Sequence, residues 1–345
     1  MKKNLTGKPG LLKEINIGLI KDALVKHGRA TRVELASLTN ISQPTVNLLI
    51  KELLEEGTII SLGVMASTGG RPAESYALNQ KKTAMALVVA NGDSFKTVIT
   101  DMNITTEAEA HVLRNKQLCY TEQLAQSLEN MIVQYPNIGA IAVGVPGAVT
   151  KTGEIFAIPQ IPEWEHFPLK EILEERLKLP VVVSNDINSI TVGYLSSQEQ
   201  VQNLVYIHLE GCGIGAGIII DSKLYPGPSS FAGELGYMKS GNHNAEEILT
   251  AASQKCPEEE KSETATLLAN ILVNMICILN PEKILLGGND VGECLSQIQE
   301  LLKNSLPAHV IPPIGILEQE QHHYIKGLGK LGLQLLNQDI QIVRR

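Results

Sequence analysis

From residue 83 onward, short apolar runs alternate with amphipathic segments, and this alternation restricts the fold more than any other feature of the chain. The runs are TAMALVVA (83–90), FKTVITDM (95–102), IGAIAVGVPG (138–147), PVVVSND (180–186), NLVYIHL (203–209), GAGIIIDSKLY (215–225) and KILLGG (283–288). Runs of this length, rich in Val and Ile and closed by glycine or polar residues, read as buried strands. Between them TEQLAQSLENMIVQY, LKEILEERLKL and TATLLANILVNMICILN read as helices, and YIKGLGKLGLQLLN reads as a closing helix at about 322–337. Strands alternating with helices make α/β layers, and ligands of such folds sit at the carboxyl ends of the strands. At 345 residues the chain has room for two or three domains.

Three strand-end segments carry candidate chemistry. EGCGIGAG (210–217) has four glycines whose bare amides suit a phosphate cradle, or else a tight turn with close packing. SNDINS (184–189) sets Asn185 beside Asp186, offering an amide and a carboxylate to a hydroxyl-bearing ligand. The same pair suits a helix N-cap. FAGELGY (231–237) places Glu234 among small residues, as a sugar-binding acceptor or a surface carboxylate.

Residues 1–80 read differently. NIGLIKDALVKHG spaces Ile17, Ile20 and Leu24 for a helix that stops at Gly28. TRVELASLTN opens with a capping box, Thr31 with Glu34, and turns Val33, Leu35, Ala36 and Leu38 inward before Asn40 breaks it. SQPTVNLLIKELLEEG is a third helix, with Ser42 as its cap, Pro44 in the first turn, and Val46, Leu49, Ile50, Leu53 and Leu54 on the apolar face. Gln43, Thr45 and Asn47 point away from that face. Two short helices joined by a tight turn match helix-turn-helix geometry, in which such side chains read base edges in the major groove. TIISLGVM and ESYALN then form a hairpin around ASTGGRP, the wing of a winged helix. Gly70 and Arg71 lie at its tip, and a guanidinium there suits a narrow A·T-rich minor groove. Three-helix units with a hairpin also serve as protein-docking modules, so protein docking stays open beside DNA binding.

Charge supports DNA binding through this segment alone. Residues 1–80 carry ten Lys/Arg against seven Asp/Glu, net +3, within a chain of net charge −8. The acidic remainder would repel nucleic acid. No apolar run reaches the roughly 18 residues expected of a membrane span, and the basic start lacks an apolar segment of the signal-peptide kind. Cys119, Cys212, Cys256, Cys277 and Cys294 share no C-x-x-C spacing and read as reduced cytoplasmic thiols.

Taken in order, these segments resemble the ROK family of repressors and sugar kinases. GIGAGIIIDSKLYPGPSSFAGELG resembles the family signature. GRATRVELASLTNISQPTVNLLIKELLEEG with STGGRP resembles the DNA-binding part of its xylose- and N-acetylglucosamine-type repressors, and PEKILLGG its late nucleotide-lobe strand. The resemblance implies a winged helix-turn-helix over residues 1–80. Residues 81–345 would form a two-lobed, actin-like (ribonuclease-H-type) domain, its closing helix returning to the first lobe. It assigns Asn185, Asp186 and Glu234 to a sugar or sugar-phosphate effector. It also implies a homodimer or tetramer on an A·T-rich palindromic operator.

Departures from the family pattern matter as much. Counting back from Asp101, the kinase phosphate motif Asp-x-Gly-Gly-Thr falls on Val89 to Asp93, so its leading acid is Val89 and its Thr is Asp93. A carboxylate there opposes phosphoryl transfer. The family's zinc His is Tyr237, and no cysteine follows until Cys256. His243 alone cannot supply four ligands, so no zinc is expected. The Asn that often precedes the lid-loop Trp by four residues is Gln160, before Trp164. Three readings follow: a repressor of a carbohydrate-utilisation operon; a sugar kinase with an appended DNA-binding domain; and a ligand-blind DNA-binding protein.

Overall fold

The computed structural model describes residues 9–65, 73–198, 200–288 and 291–338. The N-terminal head runs α1 (Pro9–His27), β1 (Ala30–Thr31), α2 (Arg32–Thr39), α3 (Gln43–Glu55), β2 (Ile59–Met65) and β3 (Ala73–Leu78). Its strands form one antiparallel sheet in the order β1-β3-β2. The capping box at α2 forms as expected: Glu34 N–H donates to Thr31 Oγ1 (3.3 Å) and Thr31 N–H to Glu34 Oε2 (2.7 Å). Asn40 ends α2 in the left-handed region at φ 56°. Ile20, Leu24, Leu35, Val46, Leu49, Ile50, Leu53 and Tyr76 fill the head's core.

Two expectations for the head change. Val33 and Leu38 face solvent, at 60% and 46% exposure. An eight-residue helix presents only a narrow inward stripe, and Leu35 occupies it. Ser42 holds the N-cap position of α3 without a side-chain cap bond. Its hydroxyl shares a hydrogen bond with Thr45 Oγ1 instead (2.8 Å). Gly70 and Arg71 lie outside the described residues.

The body contains two five-stranded sheets of the same design. In the first lobe, β4 (Ala84–Ala90), β5 (Ser94–Thr100) and β6 (Thr106–Leu113) form an antiparallel meander. After α4 (Tyr120–Gln134), β7 (Ile138–Val145) runs parallel to β4. The small hairpin β8 (Ala148–Val149)–β9 (Ile155–Phe156) and α5 (Leu169–Leu177) lead to β10 (Val181–Asn185), parallel to β7. Helix α6 (Asp186–Leu195) then crosses to the second lobe.

There β11 (Leu204–Glu210), β12 (Gly213–Ile220) and β13 (Lys223–Leu224) repeat the meander. A hairpin follows, β14 (Lys239–Ser240) and β15 (His243–Asn244), then α7 (Ala245–Ala252) and α8 (Pro257–Leu279). Strand β16 (Lys283–Gly288) lies parallel to β11. After α9 (Val291–Ser305), β17 (Ile314–Ile316) completes the order β13-β12-β11-β16-β17. The first sheet's order, β6-β5-β4-β7-β10, is its counterpart. This duplicated meander-plus-parallel pattern is the two-lobed architecture expected from the sequence.

Alternation along the strands divides the cores. Ala84, Ala86, Val88 and Ala90 of β4 pack outward under α4 and α5, whereas Met85 and Leu87 face a core shared by both lobes. In β11, Val205, Ile207 and Leu209 face α7, α8 and α9, whereas Leu204 and Tyr206 join the shared core. The shared core is filled by Ile190 and Tyr194 of α6 with Tyr324 and Leu328 of α10 (Glu320–Gln338). These two helices cross at glycines. A Cβ on Gly193 would sit 1.8 Å from His323 O, and one on Gly327 1.8 Å from Ser189 O. Helix α8 is long and apolar enough to cross a membrane by length and composition. Its face of Leu267, Leu268, Ile271, Leu272, Met275 and Ile276 is buried in the second lobe's core.

A short, heavily bonded seam joins head and body. Asn79 Nδ2 donates to Gly57 O (2.9 Å), Lys82 Nζ to Thr58 Oγ1 (2.5 Å) and Asn137 Nδ2 to Lys81 O (3.2 Å), while Met102 N–H donates to Gln80 O (3.0 Å).

Candidate functional site

Two regions could act. In the head, Val46, Leu49, Ile50 and Leu53 pin one face of α3 to the core, and Gln43 and Asn47 stand exposed. Thr45 is half-buried, and its hydroxyl is engaged by Ser42. No acidic residue lies in the first turn of α3, so its N-terminus stays attractive to phosphate. Behind it, the Arg32 guanidinium lies 5.3 Å from the Tyr76 ring centroid, and the Tyr76 hydroxyl donates to Glu74 (2.5 Å). Ser61 Oγ donates to Glu74 as well (2.5 Å), tying β2 to β3.

The second region is the cleft where β10, β11 and β16 end. Asn185 is the N-cap of α6: its Oδ1 accepts from Asn188 N–H (2.9 Å), and its Nδ2 donates to Gly147 O (3.1 Å). The capping alternative for Asn185 is therefore realised. One amide hydrogen and one lone pair are left over for a ligand. Asp186 follows in the first turn of α6, with Oδ1 accepting from Ile187 N–H (2.7 Å). Burial pushes its carboxyl above the usual range, the Ile187 amide and His208 pull the other way, and Glu210 adds to the rise.

Glu234 is held beside it. Gly233, at φ 95°, lies so close to β12 that a Cβ there would meet Ala216 O at 1.9 Å, and Ala216 N–H donates to Gly233 O (2.8 Å). Burial, and then the charge of Asp186, raises Glu234 to about 6. Two neighbouring carboxyls with raised affinity for protons can chemically both donate to and accept from hydroxyl groups.

Sequence reasoning missed the rest of this wall. Tyr206 OH hydrogen-bonds His208 Nδ1 (2.9 Å), and His208 lies 3.5 Å from Glu320 and 3.7 Å from Glu210. Glu320 Oε1 accepts the Gly288 amide (2.8 Å). Tyr206 is pushed up by burial first, then by the charges of Glu320, Asp186 and Glu210. Tyr324 is buried against Gly144, and its hydroxyl has no hydrogen-bond partner. The period-two alternation of β11 could have pointed to His208 and Glu210, which continue the face of Leu204 and Tyr206. Nothing local points to Glu320.

The remaining expectations resolve as follows. The glycines at 213, 215 and 217 form no loop, because they lie within β12. A Cβ on Gly217 would meet Thr191 Oγ1 at 1.9 Å, and one on Gly215 would meet Ile187 at 2.5 Å, so they admit α6 rather than a phosphate. The turn from Asn91 to Asp93 is closed on itself. Asn91 Oδ1 accepts from the amides of Asp93 (3.0 Å) and Ser94 (2.8 Å), and exposed Asp93 pairs with Lys116 at 3.1 Å. Val89 is a half-buried strand residue. Trp164 is a core residue: its ring stacks on Tyr120 at 4.8 Å, and Nε1 donates to Thr121 Oγ1 (2.8 Å). The exposed Gln160 lies with its carbonyl against Gly92. Tyr237 packs on Phe231, and His243 pairs with Glu247 (3.3 Å). Among the described residues no three His, Cys, Asp or Glu side chains are placed to hold a metal ion.

Fold and site together define a winged-helix head on a two-lobed, sugar-kinase-like body. The ROK family pattern matches residues 88–265, and the winged helix-turn-helix DNA-binding pattern matches residues 19–60. The chain belongs to the ROK family. It is 28% identical over 271 residues to the xylose repressor of Caldicellulosiruptor bescii, covering 76% of this chain and 67% of that one. Among solved structures, a ROK family transcriptional regulator homologous to the E. coli MLC protein superposes with a TM-score of 0.71 at 17% identity. That match covers 94% of this chain and 98% of its own. A ROK hexokinase from Thermus thermophilus shares the body's fold, with a TM-score of 0.58 at 19% identity over 73% of this chain and 99% of its own.

Proposed function

We propose that the chain is a DNA-binding repressor of a carbohydrate-utilisation operon, with the interlobe cleft as its effector sensor. The observation that carries this reading is the join between the two regions. A head that presents Gln43 and Asn47 to solvent is bonded at Gly57 and Thr58 to the connector residues Asn79 and Lys82, and Gln80 and Lys81 of the same connector are bonded to Met102 and Asn137 of the first lobe. As a dimer, two heads would meet the two halves of a palindromic operator, with Arg71 of the wing in the minor groove.

The wall chemistry favours a neutral sugar over a sugar phosphate. Asp186, Glu210, Glu234 and Glu320 converge on it, and a phosphate would meet their charge. Hydroxyls would donate to Asp186 and Glu234. Kinase chemistry is opposed by Val89 and by Asp93 at the phosphate-binding turn.

An effector acts only through different affinity for two states. Helix α10 offers the route. It begins at Glu320 in the cleft and extends about 28 Å, and Leu336 near its far end packs with Thr83 against Gly139, beside the seam. Closing the lobes on a sugar would shift α10 and thereby re-aim the heads.

A pull-down of sheared genomic DNA from the source organism, with and without a panel of neutral sugars and their phosphates, tests this reading. Enrichment of one palindrome, altered by a neutral sugar but not in Asp186→Asn, is expected. Enrichment unaffected by any sugar would leave a ligand-blind DNA-binding protein. ATP turnover with any hexose, lost in Asp186→Asn, would restore the kinase reading.

A further inference from the structure

The outward face of α3 differs from the set of polar residues that its sequence suggests. At about 100° per residue, the core contacts Val46, Leu49, Ile50 and Leu53 fix the inward direction. Pro44, Leu48, Lys51 and, at the last residue of the helix, Glu55 then lie within roughly 30° of the opposite direction, whereas Asn47 is about 70° and Thr45 about 90° away, on opposite flanks. Burial agrees: Thr45 is half-buried, and Leu48 is 58% exposed. A large aliphatic side chain therefore stands at the centre of the helix face directed away from the protein, one turn after Pro44 and beside Asn47 and Lys51.

We propose that Leu48 is a base-reading residue, packing on the C5-methyl group of a thymine in the major groove. The proposal rests on the DNA-binding reading above. In the major groove thymine alone offers a methyl group, and apolar side chains recognise it by contact. The surroundings favour DNA over a protein partner. The first two turns of α3 carry no carboxylate, Lys51 follows in the third turn, 3.8 Å from Glu55, and the helix N-terminus, positive by its dipole, points the same way. Asn47 on the flank can bond an adjacent adenine through N6 and N7. Leu48 and Asn47 together would read neighbouring A·T pairs, consistent with an A·T-rich half-site.

The test combines a protein change with a DNA change. The full chain selects a duplex from a randomised pool, and each thymine of that duplex is then replaced singly by deoxyuridine, which removes only the methyl. One position per half-site should weaken wild-type binding about four-fold, the worth of one methyl group withdrawn from water. Leu48→Ala should bind the parent duplex more weakly and be indifferent to deoxyuridine at that position alone, with its melting temperature unchanged. If no thymine distinguishes the two proteins, the proposal is overturned while the DNA-binding reading stands. Leu48→Ala that binds every duplex equally weakly and shifts the oligomeric state would instead make Leu48 a contact between copies, and would overturn it too. Failure of the wild-type chain to enrich any duplex would remove the DNA-binding reading and this proposal together.

Discussion

Replacing Glu234 with Gln should stabilise the body and blind the cleft. In the folded chain the Glu234 carboxyl is pushed up to about 6, against 4.5 for a free glutamate, because burial and the nearby Asp186 charge both disfavour its ionised form. Its folded-state pKa is raised, so the fold binds this proton more tightly than the unfolded chain does. Stability is therefore greatest at low pH. It falls as pH rises from about 4.5 through about 6, and the full cost of ionising the buried group is present above that. A shift of this size corresponds to about 2 kcal/mol, or a melting shift of about 4–8 °C for a unit of this size. Glu234→Gln keeps the shape, removes the charge, and relieves Asp186 as well. Thermal melts should show the variant more stable at pH 8 and equal to wild type at about pH 3, where Glu234 is protonated in both states. Sugars that raise the wild-type melting temperature should no longer do so, because Gln cannot replace the lost carboxylate acceptor. A variant no more stable than wild type at pH 8, or one whose gain persists at about pH 3, would refute the account of this cleft as two carboxyls held against their own ionisation.

Three further changes probe other parts of the argument. Gly327→Ala should force α6 and α10 apart, since its Cβ would fall 1.8 Å from Ser189 O. A loss of about 1–3 kcal/mol in denaturant unfolding is expected, with operator binding losing its response to sugar. Asn185→Ala removes both the α6 cap and the bond to Gly147, and should cost about 1–2 kcal/mol, again read by denaturant unfolding. Arg71→Ala should blur or abolish enrichment of the A·T-rich palindrome in the genomic pull-down at low salt, while leaving the melting temperature of the body unchanged.

The strands and helices were legible because both lobes follow simple periods: near-continuous apolar runs for β4, β7, β11 and β16, and helical stripes for α4 and α5. Strand β6 carries no such run. Every second residue of it faces solvent at the sheet's edge, and its polar alternation resembles a loop in sequence. The glycines of β12 misled in the other direction. Glycine serves a phosphate loop and a close helix approach equally well, and only the position of Thr191 against Gly217 distinguishes them. Trp164 reads as a loop residue until Tyr120 and Thr121, more than forty residues earlier in sequence, supply its stacking partner and hydrogen-bond acceptor. Leu48 is a different kind of omission. The angular position that places it outward follows from the core residues of α3, which were identified from sequence. Polarity alone favours Gln43, Thr45 and Asn47 as the reading face, whereas the helical angle favours Leu48.

The cleft itself carries the argument about what such a body can still do. Two places in it could receive an anion, and the chain's own arrangement opposes both. At the end of β16 the Gly288 amide, at φ 95° and free of a side chain, is taken by the Glu320 carboxylate. At the β4–β5 turn the amides of Asp93 and Ser94 are taken by Asn91, and Asp93 brings a negative charge of its own. Phosphoryl transfer depends on positioning and neutralising phosphate charge, so these substitutions bear directly on it. They bear much less on binding a neutral polyol, which needs acceptors for hydroxyl protons, and Asp186 and Glu234 remain as those acceptors. The arrangement of Glu320, Asn91 and Asp93 therefore favours the proposed reading of a sugar sensor over that of a kinase. On the repressor reading proposed above, binding energy of that kind acts on the angle between the lobes to which α10 and the head are attached.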